Sequence, residues 1–298
     1  MTHDTHQTGF AKCNACHEPS VTPRLTIIVP ANNEEDYLSG CLDALMASEP
    51  SALPVEVLVV ANACTDRTVE VARSFEPSAA RIGWTLRAVD LPQPGKLNAL
   101  NVGDELAMGD LRLYLDADVK VSPPLVRELV DALAATAEAR YASGSPQVAP
   151  ARSAVTRAYA RFWQMLPFVR SEAPGFGVFA VNGAGRKRWG RFPAIISDDT
   201  YVRLQFAPHE RVGVPATYEW PMVEGFTRLV KVRRRQDEGV KEIARQWPAL
   251  FANEGKAALG AGRLIAMALR EPVGFAVYAA VTLAVRSRKG SSQWTRGR

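Results

Sequence analysis

Residues 111–123 read LRLYLDADVKVSP, an apolar run that stops at two aspartates one residue apart, Asp116 and Asp118. The apolar run is typical of a buried strand. Aspartates that directly follow such a strand lie where a parallel sheet binds its ligands, at the carboxyl ends of its strands. With only Ala117 between them, both carboxylates could bind one Mg²⁺ or Mn²⁺ ion, whose other ligands would be water and substrate phosphates. The stretch predicts a metal–diphosphate site, and a solvated turn after a strand is the alternative.

The rest of the chain repeats a pattern of strand, polar loop and helix. Residues 24–31 (RLTIIVPA) and 55–61 (VEVLVVA) are β-branched runs that predict two more buried strands. This alternation predicts an α/β fold, with a mixed, mainly parallel sheet and helices on both of its faces. The other expected elements are a strand over 84–89, helices over 97–108 and 124–139, a turn over 142–146 and a strand from 178 ending in small residues.

Five motifs, in this order, resemble those of the family 2 glycosyltransferases, and each lies at a predicted strand end or helix start. They are VPANNEE, VVANACTDRT, PGKLNALNVG, YLDAD and ISDDTYVRL. The resemblance covers residues 24–239 and implies the Rossmann-like fold called GT-A. It further implies an inverting enzyme that uses Mg²⁺ or Mn²⁺ and moves one sugar from a nucleotide diphosphate sugar donor to an acceptor hydroxyl.

The resemblance also implies roles for individual residues. Asp116 and Asp118 would bind the metal, Asp199 would be the general base, and Asp198 would orient it. The donor would contact Pro30, Ala31, Glu34, Asn62, Asp66, Lys96, Asp116 and Ala117. The turn with Gly183 and Gly185 would lie beneath the donor sugar and the acceptor. Apart from the resemblance, the guanidinium groups of Arg233 and Arg235 could bind the diphosphate or a phosphorylated acceptor. Many relatives carry an acidic residue in place of Asn62, so the base of the donor stays open.

Each of these residue types also has a purely structural interpretation. Glu34 and Asp66 are of the types that favour helix starts. A lone lysine such as Lys96 is more often simply exposed to solvent. Asp198 and Asp199 would be stabilised by the dipole of the helix that they begin. The catalytic interpretation is preferred because the pair would complete the site at Asp116 and Asp118.

Three other functions share part of the pattern. An aspartyl phosphatase also uses Asp-x-Asp after a strand, but its motif continues to a threonine where this chain has Lys120. A nucleotidyltransferase would normally carry a glycine-rich phosphate loop in place of residues 30–33, which read PANN. A non-catalytic sugar-nucleotide-binding module would need neither Asp198 nor Asp199. The transferase is the function that accounts for all five motifs.

Composition and charge describe an ordinary globular protein with a basic C-terminal part. The 298 residues are 47% apolar and 22% charged, and residues 226–298 carry 15 Lys/Arg and 5 Asp/Glu, a net charge of +10. Within this part, residues 273–285 (VGFAVYAAVTLAV) are uncharged. A helix of these 13 residues would be about 20 Å long, which is too short to cross the roughly 30 Å hydrocarbon core of a bilayer. They predict peripheral membrane contact through residues 273–289, with a buried core helix as the alternative. No nucleic-acid partner is expected.

The remaining expectations concern the domains and the cell compartment. Residues 1–23 are expected to be a flexible tail, 24–240 the glycosyltransferase domain, and 241–298 a basic helical region. Cys13, Cys16 and His17 match the haem-attachment pattern C-x-x-C-H, but no export signal precedes them. A cytoplasmic location at the inner face of the membrane is expected. Arg235-Gln236 replaces the Arg-Trp pair of processive synthases, so the resemblance implies a single transfer. The acceptor hydroxyl could belong to a lipid-linked or cell-envelope glycan.

Overall fold

The computed structural model describes residues 24–170, 173–255 and 259–287, so Cys13, Cys16, His17, Arg288 and Lys289 lie outside the described residues. One sheet contains all eight described strands, in the spatial order β3-β2-β1-β4-β7-β6-β8-β5. Strands β3, β2, β1 and β4 are parallel, whereas β7 pairs antiparallel with both β4 and β6. The strands are β1 Leu25–Ala31, β2 Val55–Asn62, β3 Thr85–Leu91, β4 Leu111–Leu115, β5 Lys120–Val121, β6 Tyr141–Val148, β7 Val178–Val181 and β8 Arg211–Trp220.

Helices cover both faces of this sheet, as the alternating pattern predicted. Strand β1 is buried along its whole length, with Ile27 facing one apolar cluster and Ile28 the other. Helices α1, α2, α3 and α5 supply the first cluster, while α4, α8 and the end of α9 supply the second. The described helices are α1 Leu38–Met46, α2 Thr68–Ser74, α3 Glu76–Arg81, α4 Lys96–Leu106, α5 Leu125–Ala134, α6 Ala154–Trp163, α7 Gly183–Arg186, α8 Asp198–Arg203, α9 Phe226–Gln246, α10 Ala261–Arg270 and α11 Pro272–Ser287.

The turn expected over residues 142–146 is wrong, because these residues belong to strand β6. Gly144 lies at a register shift between Ser143 and Ser145, where β6 pairs with β8. A side chain at Gly144 would bring a Cβ atom to 2.6 Å from the carbonyl oxygen of Ala216. Glycine and serine therefore mark an irregularity inside a strand here, where two backbones approach closely.

The C-terminal helices pack against the rest of the chain through a third apolar cluster. This cluster joins α6, α9, α10 and α11 around Phe162, Leu229, Met267 and Val281. The boundary expected at residue 240 falls inside helix α9, which continues without interruption to Gln246. None of the helices in the described part of the chain combines the length and hydrophobicity that a membrane crossing needs.

Candidate active site

The carboxyl ends of β1, β2 and β4 open into a cavity of about 800 Å³. Its lining includes acidic side chains and, from helix α9, basic residues. Of the residues predicted from the sequence, the cavity is lined by Pro30, Glu34, Asn62, Lys96, Asp116, Ala117, Asp118, Asp198, Asp199 and Arg235. The lining does not include Ala31, Asp66, Gly183, Gly185 or Arg233.

Asp116 and Asp118 face the cavity because the backbone after β4 alternates between core and solvent. Ala117 and Val119 are buried in the first apolar cluster. Asp116, which precedes Ala117, and Asp118, which lies between the two, are only half-buried. Burial of these two neighbours fixes the aspartates on the opposite side of the backbone. The expected carboxylate pair therefore lies on one side of the loop, at the carboxyl end of a buried strand.

Gly177 holds this loop in place and is not among the site residues predicted from the sequence. Its carbonyl oxygen accepts a hydrogen bond from the Asp116 backbone N–H at 2.9 Å. Its φ of +67° is one that side-chain-bearing residues rarely adopt. An added Cβ would lie 3.2 Å from Asp116 Oδ2 and 3.3 Å from Trp220 Cδ1. The glycine thus allows the backbone before β7 to approach the aspartate closely.

Lys96 extends its ammonium group between the two acidic motifs. Its Nζ lies 2.8 Å from Asp116 Oδ1 and 3.1 Å from Asp198 Oδ2. Lys96 is the first residue of helix α4. The N–H of the preceding residue, Gly95, donates to Asn62 Oδ1 at 3.0 Å. The two motifs, far apart in sequence, therefore face one point in the cavity.

Asn62 connects the strand ends below this point. Its amide Nδ2 donates to the carbonyl oxygen of Ala31 at 2.7 Å, and its backbone oxygen accepts from Asn32 Nδ2 at 2.6 Å. Together with the bond from Gly95, these contacts join β1, β2 and the start of α4. Asn62 is only 2% exposed, and the polar atoms of its side chain form hydrogen bonds within the protein. A structural role accounts for Asn62, although it borders the cavity.

Asp198 and Asp199 begin helix α8 as expected, and their surroundings differ. Asp198 is the more buried of the two and forms the ion pair with Lys96. Asp199 accepts a hydrogen bond from the Thr200 N–H at 2.6 Å. No other hydrogen bond or ion pair involves the Asp199 side chain within the described residues. Of the two carboxylates, Asp199 is therefore the one that is more available to a ligand.

Helix α9 fixes the loop that carries this acidic pair. Glu242 accepts a hydrogen bond from the Ile196 N–H at 3.0 Å. Gly239 lies so close that an added Cβ would be 2.2 Å from Ser197 Oγ and 3.0 Å from Ile196 Cβ. Neither residue belongs to a motif, and only the glycine within a charged helix could have indicated a close contact.

The crowding of acidic groups shifts their protonation equilibria. Burial raises the pKa of Asp116 to about 6; Asp118 and Asp198 act in the same direction, and Lys96 opposes them. Burial and the neighbouring charge of Asp198 likewise raise the pKa of Asp199. Burial alone would lower the pKa of Lys96, but the attraction of Asp116 and Asp198 outweighs it and raises that pKa. The site therefore favours an added positive charge.

Three residues expected at the donor or acceptor lie elsewhere. Strand β7 runs antiparallel to β4, so Val178 is beside Leu115 and Val181 is beside Arg112. Gly183 and Gly185 follow Val181 and thus lie at the far end of the sheet, which corrects their expected place beneath the donor. Arg233 points away from the cavity, donating to Tyr159 Oη at 2.8 Å and stacking over Tyr278 at 5.6 Å.

Asp66 joins two loops and borders no part of the cavity. It accepts hydrogen bonds from Thr68 Oγ1 at 2.6 Å, the Thr68 N–H at 3.0 Å and the Glu35 N–H at 3.2 Å. This is the capping alternative that the sequence left open for it. Glu34 borders the cavity, with its N–H donating to Thr68 Oγ1 at 2.8 Å.

Arg228 also lines the cavity and is not among the site residues predicted from the sequence. It lies two turns before Arg235 on helix α9, so both guanidinium groups reach the same wall. Within the described residues, neither arginine forms a hydrogen bond or an ion pair. The i, i+7 spacing was the signal that could have identified Arg228.

The residues present fit a divalent cation, although no described group of three His, Cys, Asp or Glu side chains forms a ready-made metal site. Asp116 and Asp118 supply two carboxylates on one side of the loop, and the ammonium of Lys96 already lies 2.8 Å from Asp116. Mg²⁺ and Mn²⁺ prefer such oxygen ligands and commonly complete their coordination with substrate phosphates. An ion held by these residues would share its coordination with a phosphorylated ligand.

Known proteins resemble this chain in sequence. A sequence model described as Glycosyl transferase family 2 matches residues 26–180, just over half of the chain. Glycosyltransferase AglE of Haloferax volcanii is 31% identical over 99 residues, which are 33% of this chain and 32% of AglE. The undecaprenyl-phosphate 4-deoxy-4-formamido-L-arabinose transferase of Edwardsiella ictaluri is 31% identical over 110 residues, 36% of this chain and 33% of that protein. The matched part thus spans about a third of each relative.

The fold also matches solved structures. The mannosyltransferase PcManGT from Pyrobaculum calidifontis, in complex with GDP-Man and Mn²⁺, has a TM-score of 0.54 at 20% identity. The match covers 92% of this chain and 78% of PcManGT. The expected GT-A fold is thus confirmed, and this chain belongs to glycosyl transferase family 2.

Proposed function

We propose that this glycosyltransferase moves a single sugar, with inversion and with the help of Mg²⁺ or Mn²⁺, from a nucleotide diphosphate sugar to an acceptor hydroxyl. The observation that carries the proposal is the convergence of Asp116 and Asp198 on Lys96, at 2.8 and 3.1 Å. Inversion needs a leaving-group site and a general base in the same cavity. Asp116 and Asp118 would serve the former, and Asp199, beside Asp198, would serve the latter.

The donor diphosphate would bind in this cavity. Its negative charge fits Lys96, Arg228 and Arg235, which all line the cavity, and guanidinium groups form paired hydrogen bonds with phosphates. Pro30, Glu34 and Ala117 would contact the nucleoside and the sugar. A metal ion held by Asp116 and Asp118 would neutralise the charge that develops on the departing diphosphate.

Asp199 would act as the base. As the acceptor oxygen bonds to the anomeric carbon, its proton passes to the Asp199 carboxylate and the bond from that carbon to the diphosphate oxygen breaks. The electron pair of the broken bond leaves with the nucleoside diphosphate. The raised pKa of Asp199 supports this role, because a more basic carboxylate is a better proton acceptor. Asp198, held by Lys96, would orient it.

A panel of nucleotide sugars tests this function. The protein is incubated with each donor, Mn²⁺ and a set of acceptors that includes simple glycosides and polyprenyl phosphates. Release of nucleoside diphosphate, with formation of a glycosylated acceptor, is the expected result. Phosphate release would favour a phosphatase, pyrophosphate exchange a nucleotidyltransferase, and binding without turnover a non-catalytic module.

We further propose that α10 and α11 bring the enzyme to a lipid surface, where a lipid-linked acceptor would be available. The relative from Edwardsiella ictaluri is named for an undecaprenyl-phosphate acceptor. Helix α11 docks on α6 and α9, yet Val273 and Leu283 are 61% and 67% exposed. On α10, Ile265 and Leu269 are 60% and 78% exposed.

The charges around these apolar side chains favour an anionic membrane over a second copy of the chain. Arg263, Arg270 and Arg286 are exposed nearby, whereas Glu271 is paired with Arg161 at 3.0 Å. Cations beside exposed apolar groups suit the interface of an anionic bilayer. A symmetric contact between two copies would instead oppose arginine to arginine.

Co-sedimentation with liposomes tests the membrane contact. The double variant Leu269→Glu/Leu283→Glu should lose most of the binding to phosphatidylglycerol vesicles, because both changes put negative charge against the bilayer. Ile82→Glu, at an exposed apolar residue elsewhere, is the matched control and should bind as the wild type does. Point variants are preferable to deletion of residues 273–298, which would remove Val281 from the core. Unchanged binding of the double variant would refute the contact.

A further inference from the structure

Lys96 places a positive charge between two carboxylates of the cavity. Its ammonium lies 2.8 Å from Asp116 Oδ1 and 3.1 Å from Asp198 Oδ2. A divalent ion that used the same carboxylate of Asp116 would meet this ammonium within a few ångströms. The two cations would repel each other, and Lys96 would have to give up one of its ion pairs.

The start of helix α4 has little freedom to move away. Gly95 and the buried Asn62 fix the backbone beside Lys96 through a hydrogen bond of 3.0 Å. Only the side chain of Lys96, which is 40% exposed and would keep its ion pair with Asp198, can therefore turn aside, and a new anionic partner would favour that movement. A nucleoside diphosphate supplies that partner, because its phosphate oxygens carry negative charge and would lie beside Asp116.

We propose that Lys96 keeps the metal site closed to a free divalent ion and that metal and nucleoside diphosphate enter together. The inference rests on the proposed function for the location of the metal and of the diphosphate. It adds the order of binding: metal alone binds weakly, and the diphosphate moves the ammonium from Asp116 to phosphate. Lys96 is thus a positioning residue that couples donor binding to metal binding.

Titration of Mn²⁺, with the free ion measured by electron paramagnetic resonance, tests the proposal without relying on turnover. For the wild type, Mn²⁺ alone should bind weakly, and saturating UDP or GDP should tighten its binding at least tenfold. For Lys96→Met, Mn²⁺ alone should bind about tenfold more tightly than it does to the wild type, and the nucleotide should add little. Lys96→Arg keeps the charge and should behave like the wild type. Lys231→Met removes an exposed lysine of helix α9 outside the cavity lining and is the control.

The outcomes separate this inference from the proposed function. Equal binding of Mn²⁺ alone to the wild type and to Lys96→Met would overturn the inference and leave metal-dependent transfer intact. A wild type that binds no Mn²⁺ even with UDP, GDP, ADP, CDP or dTDP would overturn both. Lys96→Gln is a second neutral variant should Lys96→Met fail to fold, and thermal melting checks each variant.

Discussion

The replacement of Asp199 by asparagine separates catalysis from binding. Asparagine keeps the size of the side chain and an oxygen that can accept the 2.6 Å hydrogen bond from the Thr200 N–H. The start of helix α8 should therefore be unchanged. The variant loses only a basic group, and a positioned base typically contributes roughly 10² to 10⁴ in rate. This corresponds to about 3 to 5 kcal/mol of transition-state stabilisation.

Donor affinity should stay near that of the wild type, because Lys96 pairs with Asp198 and Asp116 and forms no ion pair with Asp199. The assay combines calorimetric titration of the donor with initial rates of nucleoside diphosphate release at saturating donor. Asp198→Asn is the informative comparison: it breaks an ion pair of Lys96, so it should weaken donor binding and slow turnover less than Asp199→Asn does.

The pH dependence provides a second measure of the same group. A base must be deprotonated to act, so kcat should fall as the pH drops through the pKa of Asp199. Because burial and Asp198 raise that pKa, the fall should begin at a higher pH than for an ordinary aspartate. The reasoning would be refuted if Asp199→Asn kept the wild-type rate. The two roles would be reversed if Asp198→Asn were the more damaging change while the donor still bound.

Four further substitutions and one control test the geometry of the site. Asp116→Ala or Asp118→Ala should abolish metal-dependent donor binding in calorimetry, since one carboxylate leaves the diphosphate charge poorly neutralised; wild-type turnover and metal dependence in either variant would contradict the metal site. Gly177→Ala should weaken Mn²⁺ binding in the presence of nucleotide, because the added Cβ would lie 3.2 Å from Asp116 Oδ2 at a backbone φ of +67°. Gly190→Ala, at a glycine with open space around it, is the control. Equal Mn²⁺ binding by the two variants would show that the loop tolerates the change. Gly239→Ala should lower kcat more than donor affinity, because its Cβ would be 2.2 Å from Ser197 Oγ beside the acidic pair; an unchanged kcat would mean that helix α9 does not hold that loop.

Local sequence patterns predicted the elements whose structure depends on nearby residues. The buried strands β1, β2 and β4 and the helix that begins at Asp198 follow from apolar runs and polar breaks in the sequence. The placement of Asp116 and Asp118 at a strand end could be predicted for the same reason. These features need no knowledge of which strands become neighbours.

The errors arose where strand direction and long-range contacts decide the outcome. Gly183 and Gly185 follow strand β7, which is antiparallel to β4. The carboxyl end of β7 therefore lies beside the start of β4, away from Asp116. The ion pairs of Lys96 and the approach of Gly239 to Ser197 join segments distant in sequence, which no periodicity indicates. The motifs identified the chemistry, whereas the contacts that position it required the structure.

The anomeric configuration of the product tests the proposed inverting transfer most directly. With an α-linked nucleotide sugar and an acceptor that supports turnover, ¹H NMR of the purified product reports the configuration of the new glycosidic bond. We expect a β-linked product from the wild type, because Asp199 would activate the acceptor on the face opposite the departing diphosphate. An α-linked product would contradict single-displacement catalysis and the role proposed for Asp199.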